Sequence, residues 1–464
     1  MEKTARAPFR LPFKISFRSE LFASTFTYGS LAFVRLASSL ILTRVLTPTV
    51  YGIFAILMSF VFTIELLSDV GPAALLIRHP RGGEAAFVHT IWTIRLGRGI
   101  LNFAILFLCA PLIGYLYQEP ALIGPCRLLS LNFLLTGAES MGFILAQRNQ
   151  KARLGNYAEF CSNVVMTAVV IGLAFALRNV YALLFGFLLQ RTILVVTSHF
   201  LYRDIGVGLA FDREAIREQF RFARVVTPSS ILTMALNQYD KLIFLRLFNA
   251  AALGVYAIAG NMLAPAKSIV VNNARLILYA RCAEYFRSNR ATARERYYAE
   301  NRKLLLLGML LPAIIAGFSQ SLVSMLYDPR YEFGGYVLMV LGLGAVVSAF
   351  FNASENVLVA AGLTHAVLVG NALLLGSLVP ASLLGYYCYG LKGFLWFNLG
   401  AAFIPLIYVY HQQRRLELLK PRVELRWMAT ALGVFLLCLL LSHLFLAVVP
   451  HSWLHLHLKT ALHG

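Results

Sequence analysis

Thirteen stretches of this chain are each long and apolar enough to cross a bilayer, and they leave little sequence between them. They fall near 23–46, 51–76, 86–117, 121–147, 157–177, 180–202, 224–247, 253–281, 301–326, 335–361, 364–389, 392–411 and 427–449. A helix needs about 20 residues to span the hydrocarbon. Inside it every backbone N–H and C=O must be satisfied within the segment, which leaves the helix as the form for runs of this length. Composition points the same way. Hydrophobic residues make up 59% of the chain and charged residues 13%, against about 25% charged in soluble domains. The expectation is an all-α polytopic membrane protein.

Charge patterning sets the orientation. The even-numbered connections carry the basic clusters, such as Arg148, Lys151 and Arg153, then Arg203 to Arg224, then Arg281 to Lys303, then Arg414 to Arg426. The odd-numbered ones hold isolated cations: Arg44, Arg178, Arg246, Arg330 and Lys392. Short loops rich in Lys and Arg stay cytoplasmic, which places the N-terminus inside and the residues after the thirteenth span outside. The net charge of +20 is thereby topological, and no nucleic-acid partner is expected. Residues 1–20 interleave Lys3, Arg6, Arg10, Lys14 and Arg18 with Phe9, Phe13 and Phe17, a basic interfacial lead-in. Six cysteines stand singly in apolar segments. The histidines from His451 to His463 resemble a metal tract only loosely, so no metal site is expected.

An internal echo divides the chain. Leu42 to Ile56 returns 202 residues later as Phe244 to Ile258, with Arg44 on Arg246, Gly52 on Gly254, and Phe54-Ala55-Ile56 on Tyr256-Ala257-Ile258. A repeat at fixed offset predicts two copies of one unit. The expected organisation is therefore a lead-in (1–20), a six-helix lobe (21–210), a second six-helix lobe (211–425), and an extra helix with its tail (426–464). The longest connection between spans in the middle of the chain carries the amphipathic piece FDREAIREQFRFAR and joins the lobes.

Ionisable residues inside spans are costly, roughly 2.5–3.5 kcal/mol for a central Lys or Arg on insertion scales, and so carry information. Arg35, Arg95, Arg98, Arg191 and Lys267 fall near the midplane; Arg127, Lys241 and Arg275 lie nearer an interface. Arg95 and Arg98 share a helical face. Two readings stand: ion pairs with Glu65 or Asp69 of the neighbouring span, or an anion-binding wall built from all five midplane cations. Glu65 and Asp69 also share a face, and Asp69 leads into Gly71-Pro72, where the helix should loosen. Asp240 precedes Lys241, and adjacent residues do not face each other. Glu65, Asp69 and Asp240 are the acids that could couple transport to H+ or Na+. Glu139, Glu159 and Glu355 read as solvated groups at cytoplasmic ends.

The stretches RLASSLILTRVLTPTVYGIFAI, LLSDVGPAALLIR and DKLIFLRLFNAAALGVYAIAGNMLAP resemble the polysaccharide transporter family, the Wzx-type oligosaccharide flippases of the multidrug/oligosaccharidyl-lipid/polysaccharide exporter superfamily. The likeness covers roughly 20–410. It implies a two-lobed helical bundle in the bacterial inner membrane that moves an undecaprenyl-pyrophosphate-linked glycan to the periplasmic leaflet by alternating access. Membrane lipids, the lipid-linked glycan, and a polymerase and other glycan-assembly proteins are the partners it implies. The thirteenth span departs from the 12 or 14 usual in that family. No enzyme activity, catalytic residue or cofactor is expected, and no nucleotide motif is present. The rival readings are a lipid II flippase, a cation-coupled drug exporter of the same superfamily, and a non-catalytic scaffold of a glycan-synthesis complex.

Overall fold

The computed structural model describes residues 30, 34–149, 153–201, 207–273, 282, 284–286, 290–300 and 302–448. The lead-in over 1–20 and the histidine-bearing tail lie outside these residues. All regular structure among the described residues is helical. The described part of each of the thirteen expected stretches is largely helical, and the boundaries follow local sequence signals. Among the described residues eight helices are individually long and apolar enough to cross a membrane, or nine when one bent pair counts as a single span. We call the side carrying the basic loops inner and the opposite side outer.

With the two expected lobes kept as labels for the two halves of the chain, the first comprises α1 (34–45), α2 (Pro48–Leu67), α3 (Pro72–Arg78), α4 (Ala85–Leu116), α5 (Ile123–Ala138), α6 (Gly142–Arg148), α7 (Arg153–Leu177) and α8 (Val180–Leu201). Helix α2 starts with Pro48 in its first turn, where a missing N–H costs nothing. It stops at Ser68, and the chain turns through Gly71 at φ 68° before α3 begins on Pro72. A positive φ is routine only for glycine. Asp69 secures the turn by accepting the Gly71 N–H at 2.9 Å, which gives the D-x-G signature a local cause. The predicted loosening at Gly71-Pro72 is thus a full break, with α3 lying past it.

The second lobe contains α9 (Arg213–Leu247), α10 (Ala250–Asn273), α11 (Arg290–Glu300), α12 (Arg302–Gly317), α13 (Ser319–Leu326), α14 (Phe333–Ala360), α15 (Thr364–Ala401) and α16 (Phe403–Arg415), followed by α17 (Pro421–Val448). The ninth predicted span is two helices, α12 and α13, bent by 61° at Phe318. The eleventh and twelfth are separated inside α15, at Tyr389 and Gly390, whose backbone leaves helical geometry. Helix α17 packs on this lobe through Ser442, whose hydroxyl lies 2.6 Å from that of Ser321 on α13.

Packing explains what faces lipid. Helix α4 exposes Leu101, Leu108, Leu112 and Tyr115, and α17 exposes Leu432, Leu436, Leu440 and Leu444, stripes that only hydrocarbon would leave uncovered at no cost. The largest buried cluster draws on both lobes, joining Leu46, Ile56, Leu57 and Val61 to Phe244, Leu253, Leu263 and Tyr331. A second belongs to the later helices, around Phe350, Leu358, Val409 and Trp427. A third, smaller one lies at the inner end of the first lobe, around Leu76, Phe87, Ile91 and Ala215.

Candidate functional site

The half-buried charges of the first lobe gather where α2, α4, α5 and α8 meet. Helix α4 carries Arg95 and Arg98 on one face, and each is paired. Arg95 donates to the Glu139 carboxylate and approaches the Met141 sulfur at 3.9 Å. Arg98 donates to the Ser68 carbonyl at 3.3 Å and reaches Asp69 Oδ1 at 3.5 Å. Glu65 accepts from Asn132 Nδ2 at 3.3 Å and feels the charges of Arg191, Arg98 and Arg95. Asn102 closes the cluster by donating to the Ser68 hydroxyl at 2.8 Å.

Three arginines, Arg95, Arg98 and Arg191, therefore meet three acids, Glu65, Asp69 and Glu139. The group is charge-balanced, so it is an ion-pair network with one loosely held member rather than an uncompensated cationic wall. Glu139 is the residue that changes the balance. It caps the broken end of α5 with extended backbone, φ −56° and ψ 128°, and this break turns its side chain back toward Arg95. Arg191 lies against the Phe187 ring, 5.4 Å from its centroid, and makes no ion pair among the described residues.

In the second lobe Asp240 is engaged at both oxygens. Oδ2 accepts the Tyr256 hydroxyl at 2.7 Å, while Oδ1 accepts the Lys241 backbone N–H at 2.8 Å and meets Lys241 Nζ at 3.4 Å. The long ammonium contact is what adjacency on a helix produces. Lys267 is exposed and feels Asp240 and Lys241 electrostatically. Arg35 is exposed on α1. Neither Lys267 nor Arg35 makes an ion pair among the described residues. The predicted site residues thus fall into two groups, Glu65, Asp69, Arg95, Arg98 and Arg191 in one and Asp240 and Lys267 in the other, with Arg35 outside both.

Among the described residues, the contacts between the lobes differ in kind at the two ends. At the outer end, Gly52 of α2 and Gly254 of α10 lie back to back. A Cβ on Gly52 would sit 1.7 Å from the Ala250 carbonyl oxygen, and one on Gly254 would sit 1.8 Å from that of Pro48. The two residues matched by the internal repeat are therefore partners in space. Close backbone approach at small residues is how helices associate where the surrounding lipid is as apolar as leucine. The turn after α1 adds to this seal. Tyr331, 1% exposed, donates to the Leu46 carbonyl at 3.0 Å, Arg330 donates to the Arg44 carbonyl at 3.1 Å, and Ser39 lies 2.9 Å from the Tyr327 hydroxyl.

At the inner end the contact is polar. Asp69 Oδ2 accepts from Ser230 of α9 at 3.1 Å and the Asp69 carbonyl from Thr227 at 2.8 Å, while Gln219 donates to the Val70 carbonyl. Beyond the membrane edge Arg81 is held at once by Glu84, Asp212 and Glu214, each at 2.8 Å, and His79 faces Glu218 at 2.7 Å. The Arg81 guanidinium, beside Glu84 and Asp212, is pushed above the usual arginine range, and Asp212 is held below the usual carboxylate range by its bond to Arg81. Arg148 organises this end by donating to the carbonyls of Leu76, Ile77 and His79 at 2.5–3.0 Å, which caps α3. Sequence reasoning missed the latch, although basic Arg81 and the acids Asp212, Glu214 and Glu218 are complementary.

Asp69 belongs to both structures: it is the partner of Arg98 in the charged cluster and of Ser230 in the inner seal. An anion drawn to Arg98 would compete with Asp69 and so act on the contact between the lobes.

Against known proteins, residues 41–332 match the family described as polysaccharide biosynthesis protein. The teichuronic acid biosynthesis protein TuaB of Bacillus subtilis is 20% identical over 302 residues, which is 64% of this chain and 62% of that protein. The lipopolysaccharide biosynthesis protein WzxC of Escherichia coli is 22% identical over 224 residues, 48% of this chain and 45% of that one. This chain thus aligns with less than two thirds of either relative. Among solved structures, the lipid II flippase MurJ in its inward closed conformation superposes with a TM-score of 0.72 at 10% identity, covering 94% of this chain and 96% of that one. The MATE transporter VcmN of Vibrio cholerae superposes at 0.58 and 14% identity, covering 85% and 95%. The matched segment takes in the turn after α1, the break at Asp69 to Gly71 and the Asp240-Lys241 pair of α9, and the chain belongs to the family described as polysaccharide biosynthesis protein.

Proposed function

We propose that this protein is a flippase that carries a polyprenyl-pyrophosphate-linked oligosaccharide from the inner to the outer leaflet of a bacterial plasma membrane by alternating access. The observation that carries the reading is the double role of Asp69. A pyrophosphate approaching Arg98 offers a bidentate partner better suited to a guanidinium than the 3.5 Å contact with Asp69. Once Arg98 turns to the phosphate, Asp69 is left at the inner seam as a carboxylate without its cation, and the rearrangement that relieves it would let the lobes move. The outer glycine seal must open in the alternate state for the glycan to leave. The lipid tail stays in hydrocarbon throughout, so the protein transports without making or breaking a bond.

Arg35 and Lys267 lie outside the balanced cluster and Arg191 is its loosely held member, and the three would hold the pyrophosphate or acidic sugars with Arg95 and Arg98. Of the three acids that could couple the cycle to H+ or Na+, Glu65 fits best. Its described contact is one 3.3 Å hydrogen bond from Asn132, whereas Asp69 and Asp240 have both oxygens engaged. A glycan polymerase and other assembly proteins would take the product on the outer side.

The test is export in cells that lack their own copy of the gene, with lipid-linked oligosaccharide assayed by leaflet. The Arg95→Ala/Arg98→Ala variant should insert and accumulate while export falls to background and the lipid-linked unit builds up on the inner face. Export at the wild-type level by that variant would sink the reading. Build-up of lipid II instead would reassign the substrate.

A further inference from the structure

On the far side of the second lobe, a cleft of about 640 Å³ opens between α11–α12 and the start of α17. Arg302, Lys420 and Arg426 line it with Glu295, Tyr298 and Trp427. Its position is that of a headgroup pocket: the apolar part of α12 begins at Leu305 and that of α17 follows Arg426. Lys420 pairs with Glu295, whose carboxyl it holds below the usual range, and lies 5.5 Å above the Tyr298 ring. Arg302 and Arg426 are exposed and make no ion pair among the described residues.

The floor is built rather than incidental. Glu424, 6% exposed, accepts from the Tyr298 hydroxyl at 2.8 Å and the Tyr410 hydroxyl at 3.1 Å. The Tyr298 oxygen in turn accepts the Lys420 backbone N–H at 3.1 Å, and its ring meets that of Trp427 at 5.5 Å. A buried carboxylate bound by two tyrosines fixes the aromatic wall under the cations. The bias of short inner loops toward Lys and Arg accounts for cations in this region. It does not account for a concave wall with a locked aromatic floor. One rim is apolar, with Leu306 and Val423 in the lining and Leu307 and Leu432 exposed beyond, a path that acyl chains would cover and a soluble anion would not need.

We propose that this cleft binds the phosphate headgroup of an anionic phospholipid in the inner leaflet, with Arg302 and Arg426 as the phosphate ligands and the acyl chains lying along α12 and α17. The thirteenth helix then completes a lipid site on the second lobe. This assignment is independent of the transported substrate, since none of the lining residues belongs to the charged cluster or to either seal.

The test uses the full chain in nanodiscs of phosphatidylcholine with or without phosphatidylglycerol, followed by native mass spectrometry of retained lipid. Wild type should retain phosphatidylglycerol over phosphatidylcholine. Arg302→Gln or Arg426→Gln should weaken retention about fivefold, and the pair about thirtyfold, at the strength typical of a basic side chain near an anionic surface. Arg302→Lys should keep most of it, which separates loss of charge from loss of fold. Undiminished retention by the double variant would overturn the assignment. Displacement of the lipid by millimolar inorganic pyrophosphate, with equal thermal stabilisation by pyrophosphate alone, would overturn it in favour of a soluble anion.

Discussion

The two ends of the interface between the lobes do the same job with opposite chemistry. At the outer end Gly52 and Gly254 bring backbone against backbone within a shared apolar cluster. At the inner end the contact is a set of replaceable hydrogen bonds and ion pairs through Asp69, Gln219 and Arg81. Packing of the first kind is lost all at once when the helices part and has no soluble substitute. Bonds of the second kind can be exchanged one at a time for water or for an anion. A carrier that meets its charged cargo on the inner side has use for this asymmetry, because the cargo itself can compete for the bonds that hold the inner end.

The comparison breaks most readily at the glycines. Gly52→Val or Gly254→Val places carbons where a carbonyl oxygen already stands, a form of overpacking that costs at least about 1–3 kcal/mol. Either should hold the outer ends apart and take export to background, and spin labels across the outer ends of α2 and α10 should report the widening. Gly97→Ala, whose added carbon would meet nothing within 4 Å, should leave both readouts unchanged.

Next in size is the Arg98–Asp69 contact. Removing one partner of a partly buried pair leaves the other uncompensated. Arg98→Ala and Asp69→Ala should each lower thermal stability and cut export at least about tenfold, the rate equivalent of 1.4 kcal/mol. The double variant should lose less stability than the two single variants summed, without recovering export, and a double-mutant cycle measures the difference. The exposed Arg81 cluster is smaller in effect. Arg81→Gln should change export less than about fivefold, and the salt dependence that wild type shows at this contact should be absent from the variant.

Smallest is the response to acid. Asp212 has its carboxyl held down by Arg81, so its contribution to the inner latch is present above the ordinary carboxylate value and lost as pH falls through the lowered one. In a His79→Gln background, the distance between spin labels at positions 83 and 217 should stay constant from neutral pH down to the ordinary carboxylate range and widen only below it.

Much of this architecture was legible before any coordinates. Apolar runs and loop charges locate the spans because lipid permits only one backbone solution, and Pro48 and Gly71-Pro72 mark breaks by their own stereochemistry. The repeat was legible as a match between Gly52 and Gly254. That the two matched residues touch is a property of the symmetry axis, which sequence offset does not encode. Glu139 was misplaced because depth along an unbroken helix puts it in solvent. The flanking Gly137 and Gly142 were the signal that α5 ends there and turns the carboxylate inward. Within the charged cluster helical faces offered Glu65 or Asp69 as partners for Arg95 and Arg98 without choosing between pairing and an anion wall; the fold puts Asp69 against Arg98 and Glu139 against Arg95. The inner latch was hidden for a simpler reason: its two halves lie more than a hundred residues apart.

The account rests on the lobes separating at the outer end in each cycle, and a reversible lock there tests it most directly. Ser39→Cys and Tyr327→Cys, whose native oxygens lie 2.9 Å apart, can be joined by a short cleavable thiol cross-linker in inverted membrane vesicles supplied with lipid-linked oligosaccharide. Translocation should stop on cross-linking and return when the linker is cleaved. Continued translocation with the outer ends locked together would contradict the account.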